Sequence, residues 1–333
     1  MLIAGDIGGT KSHLVAYDET GSKLLVVARK RYATRDFSSF ERLVDEFSRH
    51  ALGSSPEQAI SGAGFGVPGT VVDGKLHAAH VPWVLDSAAL AASLGLPRGH
   101  IVLMNDLVAT ARGLRQLESS DLLYLNRGVD HPEENVAVIA AGTGLGEAVL
   151  YWDGHGHRAA PSEGGSADFA PRSGREIAFL SFLKQRLPRV SCEELFSGRG
   201  FRPIHEFLAP DLRHDSFRQP AGESAQEITQ NALAGTCPAC VETLDFWTDA
   251  FGAESGNLAL RVLAYGGVYL AGGIAVKILP LLQKSTFCQA FADKGPLAPL
   301  LMNIPIAVVL NEDAPLLGAA HAALTVLRGG KLT

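Results

Sequence analysis

The sequence predicts an α/β protein built from two related domains. Three observations carry this. The chain opens as strand, glycine turn and strand: Leu2-Ile3-Ala4, then Gly5-Asp6-Ile7-Gly8-Gly9-Thr10, then Leu14-Val15-Ala16-Tyr17. The same design returns where Val136 to Ala141 opens into Gly142-Thr143-Gly144-Leu145-Gly146 and Ala148 to Trp152 follows. Elsewhere, short apolar runs alternate with helical periodicity, the pattern of open α/β sheets. Two sheets, each presenting a Gly-rich tip to a shared cleft, account for both hairpins. A length of 333 residues suits two domains.

Taken in order, the opening hairpin gains a third strand at Leu24 to Arg29. Ser38 or Ser39 caps a helix with Phe40, Leu43, Val44 and Phe47 on its apolar face. Ala59 to Phe65 is a strand running into Gly66-Val67-Pro68-Gly69, and the Gly74 turn makes a hairpin through Leu76. Val81-Pro82-Trp83 is extended and leads to a helix near Leu85 to Leu94. Ile101 to Met104 is a buried strand ending in Asn105-Asp106, and a helix follows with Val108, Ala109, Ala111, Leu114 and Leu117 in register. Asp106 fits two readings. It sits where ligands bind in an open α/β sheet, and it also suits a helix N-cap.

In the second half, Glu163-Gly164-Gly165-Ser166-Ala167-Asp168 is a polar loop of the kind that carries ligand contacts. A helix through Ile177, Phe179, Leu180 and Leu183 comes next. Ser191 and Glu194 match a capping box, which leaves Glu193 open for another task. Ser224 and Glu227 match a second one. A long helix covers Val241 to Ala264, with apolar residues spread around it. Gly267 to Leu270 is a strand, and Ala271-Gly272-Gly273-Ile274 turns it into a helix. Ile304 to Leu310 is the last strand, and Pro315 opens the final helix through Leu327.

Composition excludes several classes. Hydrophobic residues make up 47% and charged ones 19%, enough for a large core. The net charge of −6 argues against nucleic acid as a partner. No apolar run reaches membrane-spanning length, so no membrane partner is expected. Four cysteines in so long a chain suit a reducing, cytoplasmic location. Cys237-Pro238-Ala239-Cys240 has the spacing of half a zinc site, but no second CxxC or neighbouring His pair completes it. The pair reads as two small residues at a helix start. His155-x-His157 lies in a glycine turn without a third ligand, and His77, His80 and His100 read as surface polar residues.

The glycine tips have a chemical use. Without a Cβ, their backbone N–H groups can approach an anion closely. The opening tip runs strand to strand, which sets it apart from a dinucleotide or Walker loop that leads into a helix. Thr10 adds a hydroxyl, and Asp6 can hold a hydrated Mg²⁺ beside phosphates.

Asp6-Ile7-Gly8-Gly9-Thr10 resembles the first phosphate motif of the sugar kinase, Hsp70 and actin ATPase superfamily. With Asn105-Asp106, Gly142 to Gly146, Glu163-Gly164-Gly165, Ser191-Cys192-Glu193 and Leu270 to Ile274 in the same order, nearly the whole chain resembles the bacterial glucokinase family. The resemblance implies a two-domain actin-like ATPase (ribonuclease H-like) fold with the active site in the cleft. Residues 1–108 and 314–333 would form a small domain, and 109–313 a large one. It implies ATP-dependent phosphorylation of glucose to glucose 6-phosphate, with Asp106 as general base on the 6-hydroxyl. Asn105, Asp106, Glu163, Ser166 and Glu193 would bind the sugar. Gly5, Asp6, Ile7, Gly8, Gly9, Thr10, Gly142, Thr143, Gly144, Gly272 and Gly273 would bind ATP, Asp6 holding Mg²⁺ through water. A homodimer is implied as well.

One residue departs from the pattern. The family loop reads Glu-Gly-Gly-His, and here the fourth position is Ser166. A kinase for another hexose or an aminosugar is therefore an alternative. A sugar-responsive regulator on the same fold is another. Such regulators carry an added DNA-binding segment, whereas here the first strand begins at Leu2.

Overall fold

The computed structural model describes residues 1–20, 23–54, 59–77, 81 and 83–331. His80 and Pro82, singled out above, lie outside them. By its contacts the chain divides into two units. One holds Met1–Ser119, Arg158–Pro161 and Asn311–Thr333; the other holds Ser120–His157 and Ser162–Leu310.

In the first unit the opening strands are β1 (Leu2–Ile7), β2 (Lys11–Thr20) and β3 (Lys23–Ala33). The strands β4 (Gly62–Val67), β5 (Thr70–Val72), β6 (Lys75–His77), β7 (Val84–Asp86) and β8 (Ile101–Asn105) follow. The main sheet has the order β3-β2-β1-β4-β8. β1 pairs antiparallel with β2 and parallel with β4, and β4 pairs parallel with β8. Alternation along β1 and β2 divides their side chains between two cores. Ile3, Ile7, Leu14 and Ala16 join Phe40, Val44 and Phe47 of the helix Phe40–Ser54. Leu2, Ala4, Val15 and Tyr17 join Leu316, Ala319 and Ala323 of the helix Ala314–Leu327.

A small sheet, β5-β6-β7, contains the hairpin expected around Gly74. The helix expected near Leu85–Leu94 starts at Ser87. Leu85 pairs with Leu76 in β7, and Asp86 caps the helix by accepting bonds from the Ala88 and Ala89 amides at 2.8 and 3.2 Å. A domain boundary at residue 108 would cut the helix Asp106–Gly113. That helix belongs with the first unit because it meets the helix Ala314–Leu327 backbone to backbone. A Cβ on Gly113 would lie 1.8 Å from the Ala314 carbonyl oxygen, and one on Gly318 1.8 Å from that of Ala109.

The second unit contains β9 (Leu122–Asn126), β10 (Val136–Ala141), β11 (Leu145–Trp152), β13 (Val268–Ala271) and β14 (Ile306–Val309). The ends of β12 (His157–Ser162) also group here, while 158–161 group with the first unit. The sheet order is β12-β11-β10-β13-β14-β9. β9 and β12 are not legible in the sequence. Both are outermost strands, only partly buried, and β12 contains a proline, which edges tolerate.

The long helix spans Pro238–Val262 and is buried along much of its length. Its apolar residues are spread around it because it runs through the core, where Trp247 and Phe251 stack and Phe196, Phe201 and Phe287 pack edgewise or tilted. The expected capping box of Ser224 and Glu227 does not form. The helix begins earlier, at Ala221, and both side chains bind the backbone of Ser216. Among the described residues, no helix is long and apolar enough to cross a membrane.

Candidate active site

In the first unit, Asp6 and Asp106 lie at the carboxyl ends of β1 and β8, with β4 between them. Asp6 pairs with Gly66, and Gly66 pairs with Met104. Glycine at that level leaves no side chain to separate the two carboxylates. Burial, and then the charge of Asp106, push the Asp6 carboxyl up to about 6.

Asn105, rather than Asp106, is the N-cap of the helix that follows. Its Oδ1 accepts bonds from the Leu107 and Val108 amides at 2.9 and 3.2 Å, and its Nδ2 donates to the Gly69 carbonyl at 3.2 Å. Asp106 is thereby placed on the first turn, at the positive dipole of a helix N-terminus, where its Oδ1 also accepts from the Leu107 amide at 2.9 Å. The cap thus fixes the turn on which the carboxylate sits.

The tip of the β1–β2 hairpin is braced by two residues that the sequence does not flag. The Thr34 hydroxyl donates to the Gly8 carbonyl at 2.7 Å and lies 2.8 Å from the Ser12 hydroxyl. The Thr34 amide bonds Thr10, and the Gly8 amide bonds Lys11. Ser12 and Thr34 are wholly buried, whereas Gly8 and Gly9 are partly open and Thr10 is exposed. Gly5 and Ile7 serve packing. A Cβ on Gly5 would lie 2.6 Å from Phe65, and the Ile7 side chain is in the core. Either residue offers a ligand only its backbone.

In the second unit, the tip after β10 and the tip after β13 are neighbours, since those strands pair in parallel as far as Ala140 and Ala271. Gly142, Thr143 and Gly144 close the β10–β11 hairpin, the Gly142 amide bonding the Gly144 carbonyl at 2.9 Å. Gly272 has φ +84°, and a Cβ there would lie 2.4 Å from the Ala141 carbonyl oxygen. No other residue type suits that position. Gly273 then opens the short helix Gly273–Lys277.

Two loops gather at the same end of the second unit. Glu193 accepts a bond from the Leu145 amide at 3.1 Å and pairs with Arg199 at 2.5 Å. The expectation that Glu193 is unengaged is therefore corrected. So is the capping box at Ser191, whose side chain makes no cap bond. Glu163 and Ser166 are exposed on a tight turn, the helix-like Gly164–Ser166 segment. That turn is tied to the segment before Glu193: Phe169 bonds Val190, Cys192 bonds Ala167, and Arg189 holds Asp168 and the Ser166 carbonyl at 2.6 and 2.9 Å. Arg189 and Arg199 carry no motif that would have singled them out.

Beneath this turn lies Glu147 on β11. Its Oε2 would be 1.8 Å from a Cβ on Gly164, so the paired glycines are needed for packing as well as for any ligand. Burial, then the charge of Glu254, push Glu147 up to about 7 against the pull of Arg261.

Cys237 caps the long helix and Cys240 lies in its first turn, as their spacing suggests. The expectation that no histidine pair accompanies them is overturned. His205 and His214 stand beside them, drawn in from outside the local sequence.

The family profile described as Glucokinase matches residues 3–326. A glucokinase of Nostoc punctiforme is 38% identical over 97% of this chain and 98% of its own length. Among solved structures, a glucokinase from an Antarctic psychrotroph superposes with a TM-score of 0.83 at 26% identity, covering 97% of this chain and 98% of that one. A glucokinase from Balamuthia mandrillaris in complex with glucose superposes with a TM-score of 0.78 at 22% identity, covering 97% and 93%. The fold shared with these structures is the two-domain actin-like ATPase fold.

Proposed function

From the premise that the chain belongs to the glucokinase family, we propose that it transfers the γ-phosphoryl group of ATP to the 6-hydroxyl of glucose, with Asp106 as general base. The observation that carries the assignment is Asp106 itself, oriented by the Asn105 cap at the carboxyl end of β8. Phosphoryl transfer asks a protein chiefly for positioning and charge stabilisation. The Gly8-Gly9-Thr10 tip, braced by Thr34, and the Gly142–Gly144 tip supply backbone N–H groups for the phosphates, and the Gly272-Gly273 tip takes the adenosine end of the nucleotide. Glu163 and Glu193 offer acceptors for sugar hydroxyls, and the Asn105 Nδ2 retains one N–H beyond its bond to Gly69. Asp106 takes the proton from the attacking 6-hydroxyl.

Two neighbouring carboxylates, one held up at about 6 by burial and its neighbour, fit a divalent cation, which would relieve both effects. Mg²⁺, bound through water at Asp6, would neutralise charge on the phosphates. The same reading makes the chain a cytoplasmic homodimer, which the mass from light scattering tests.

The exposed position of Ser166 favours one second reading, a kinase of relaxed choice among hexoses and aminosugars. A coupled ADP-release assay across a sugar panel separates the two. The main proposal is tested by Asp106→Asn, which keeps shape and removes the base. The expected loss in kcat is about 10²–10⁴-fold, with glucose affinity retained. Turnover within a few-fold of wild type would refute the assignment.

A further inference from the structure

We propose that His205, His214, Cys237 and Cys240 bind one structural zinc ion in the second unit. The four ligand atoms all lie within 4.8 Å of one another. The two Nε2 atoms are 3.2 Å apart, and the Nε2 of His214 is 3.3 Å from the Cys240 Sγ and 3.8 Å from the Cys237 Sγ. With ordinary zinc bonds, a tetrahedral Cys₂His₂ site has edges of about 3.4 Å between nitrogens and about 3.6 Å between nitrogen and sulfur. The side chains already stand at those separations.

The protein alone satisfies the group poorly. His205 is wholly buried. Its Nε2 faces another Nε2, and only one of two such atoms can carry the shared proton. A metal uses both lone pairs. An outer partner is also in place. Glu227 Oε1 lies 3.6 Å from the His214 Nδ1, while its Oε2 is held by the Ser216 amide at 3.1 Å. This is the carboxylate–histidine arrangement that orients metal-bound imidazoles.

Thiolate and imidazole ligands select zinc over Mg²⁺, Ca²⁺ or Mn²⁺. Four protein ligands leave no open position, so the ion is structural and takes no part in turnover. On binding, both thiols release their protons to solvent, two Zn–S and two Zn–N bonds form, and no electrons are transferred. The ion would pin the helix Phe201–Leu208 and the segment holding His214 to the start of the helix Pro238–Val262. The first of these helices follows directly on the stretch that carries Glu193 and Arg199. The proposal stands apart from the sugar kinase reading.

The test is metal analysis of the full-length chain, purified reduced and without an affinity tag. About one zinc per chain is expected, with an absorption-edge spectrum showing two sulfur and two nitrogen neighbours. Cys237→Ser with Cys240→Ser should lose the metal. Should that variant fold poorly, wild type answers by itself: chelation should lower its melting temperature by several degrees, and Zn²⁺ but not Mg²⁺ should restore it. Glu227→Gln should keep the stoichiometry and weaken zinc affinity about 10–100-fold in chelator competition. Less than about a tenth of an equivalent of zinc, with no uptake by the reduced protein, overturns the proposal. So does a zinc spectrum lacking sulfur, or a Cys237–Cys240 disulfide as the native state.

Discussion

The two main sheets share one plan and differ at their working ends. In the first unit the order is β3-β2-β1-β4-β8; in the second, β12-β11-β10-β13-β14 repeats it and β9 is added outside. Each has an antiparallel hairpin, β1–β2 or β10–β11, beside two parallel strands. At the ends of those strands the first unit places two carboxylates, Asp6 and Asp106, around a bare glycine. The second places glycines, and draws its carboxylates Glu163 and Glu193 from loops tied down by Arg189 and Arg199. One topology thus ends in carboxylates in the first unit and in glycine backbone in the second. Topology decides where a strand ends, and the residue at that end decides what it does.

Asp106→Asn, already described, is the largest expected way to break this contrast, since it removes the charge from β8 alone. Asp6→Asn is next. Its carboxyl is raised from 3.8 to about 6 in the folded chain, so the folded state favours the protonated form. Wild-type stability therefore falls as pH rises from about 4 to 6, and Asn, which cannot ionise, escapes the loss. One pKa unit is worth about 1.4 kcal/mol, so the variant should be more stable by on the order of 3 kcal/mol above pH 7, and no more stable near pH 3. Urea melts at both pH values measure this. Added Mg²⁺ with ATP should narrow the gap, and a gap that Mg²⁺ leaves unchanged would count against metal binding at Asp6.

The glycines sharpen the comparison from the other side. Gly142 has open space where a Cβ would go, whereas Gly272 has a positive φ and the Ala141 carbonyl in the way. Gly272→Ala should cost about 1–3 kcal/mol of stability. Gly142→Ala should leave stability nearly unchanged, within about 0.5 kcal/mol, yet raise KM for ATP about tenfold by blocking the approach of a phosphate. An unchanged KM would make Gly142 an ordinary turn residue.

The smallest expected effect is at Ser166. Ser166→His should raise discrimination against mannose and 2-deoxyglucose relative to glucose by roughly tenfold, about one net hydrogen bond. Specificity ratios of kcat/KM in the two proteins decide it. Equal ratios would show that position 166 does not set sugar choice.

What the sequence determined by itself is what depends on near neighbours along the chain. The hairpins at Gly8-Gly9 and Gly142–Gly146, the strand that ends at Asn105-Asp106, the long helix after Pro238 and the final helix after Pro315 all follow from local periodicity and turn chemistry. The motifs of the candidate site were legible for the same reason. Tertiary structure decided the rest. It made Asn105 the cap and Asp106 a first-turn carboxylate, and it engaged Glu193 with Leu145 and Arg199 against the local signal of Ser191 and Glu194. It gave Ser224 and Glu227 a shared partner in Ser216 in place of a capping box. It also brought His205 and His214 to Cys237 and Cys240. A cap competes with every donor that folding brings within reach, and a metal cluster needs only proximity in space. Neither competition nor proximity is written in the spacing of residues along the chain.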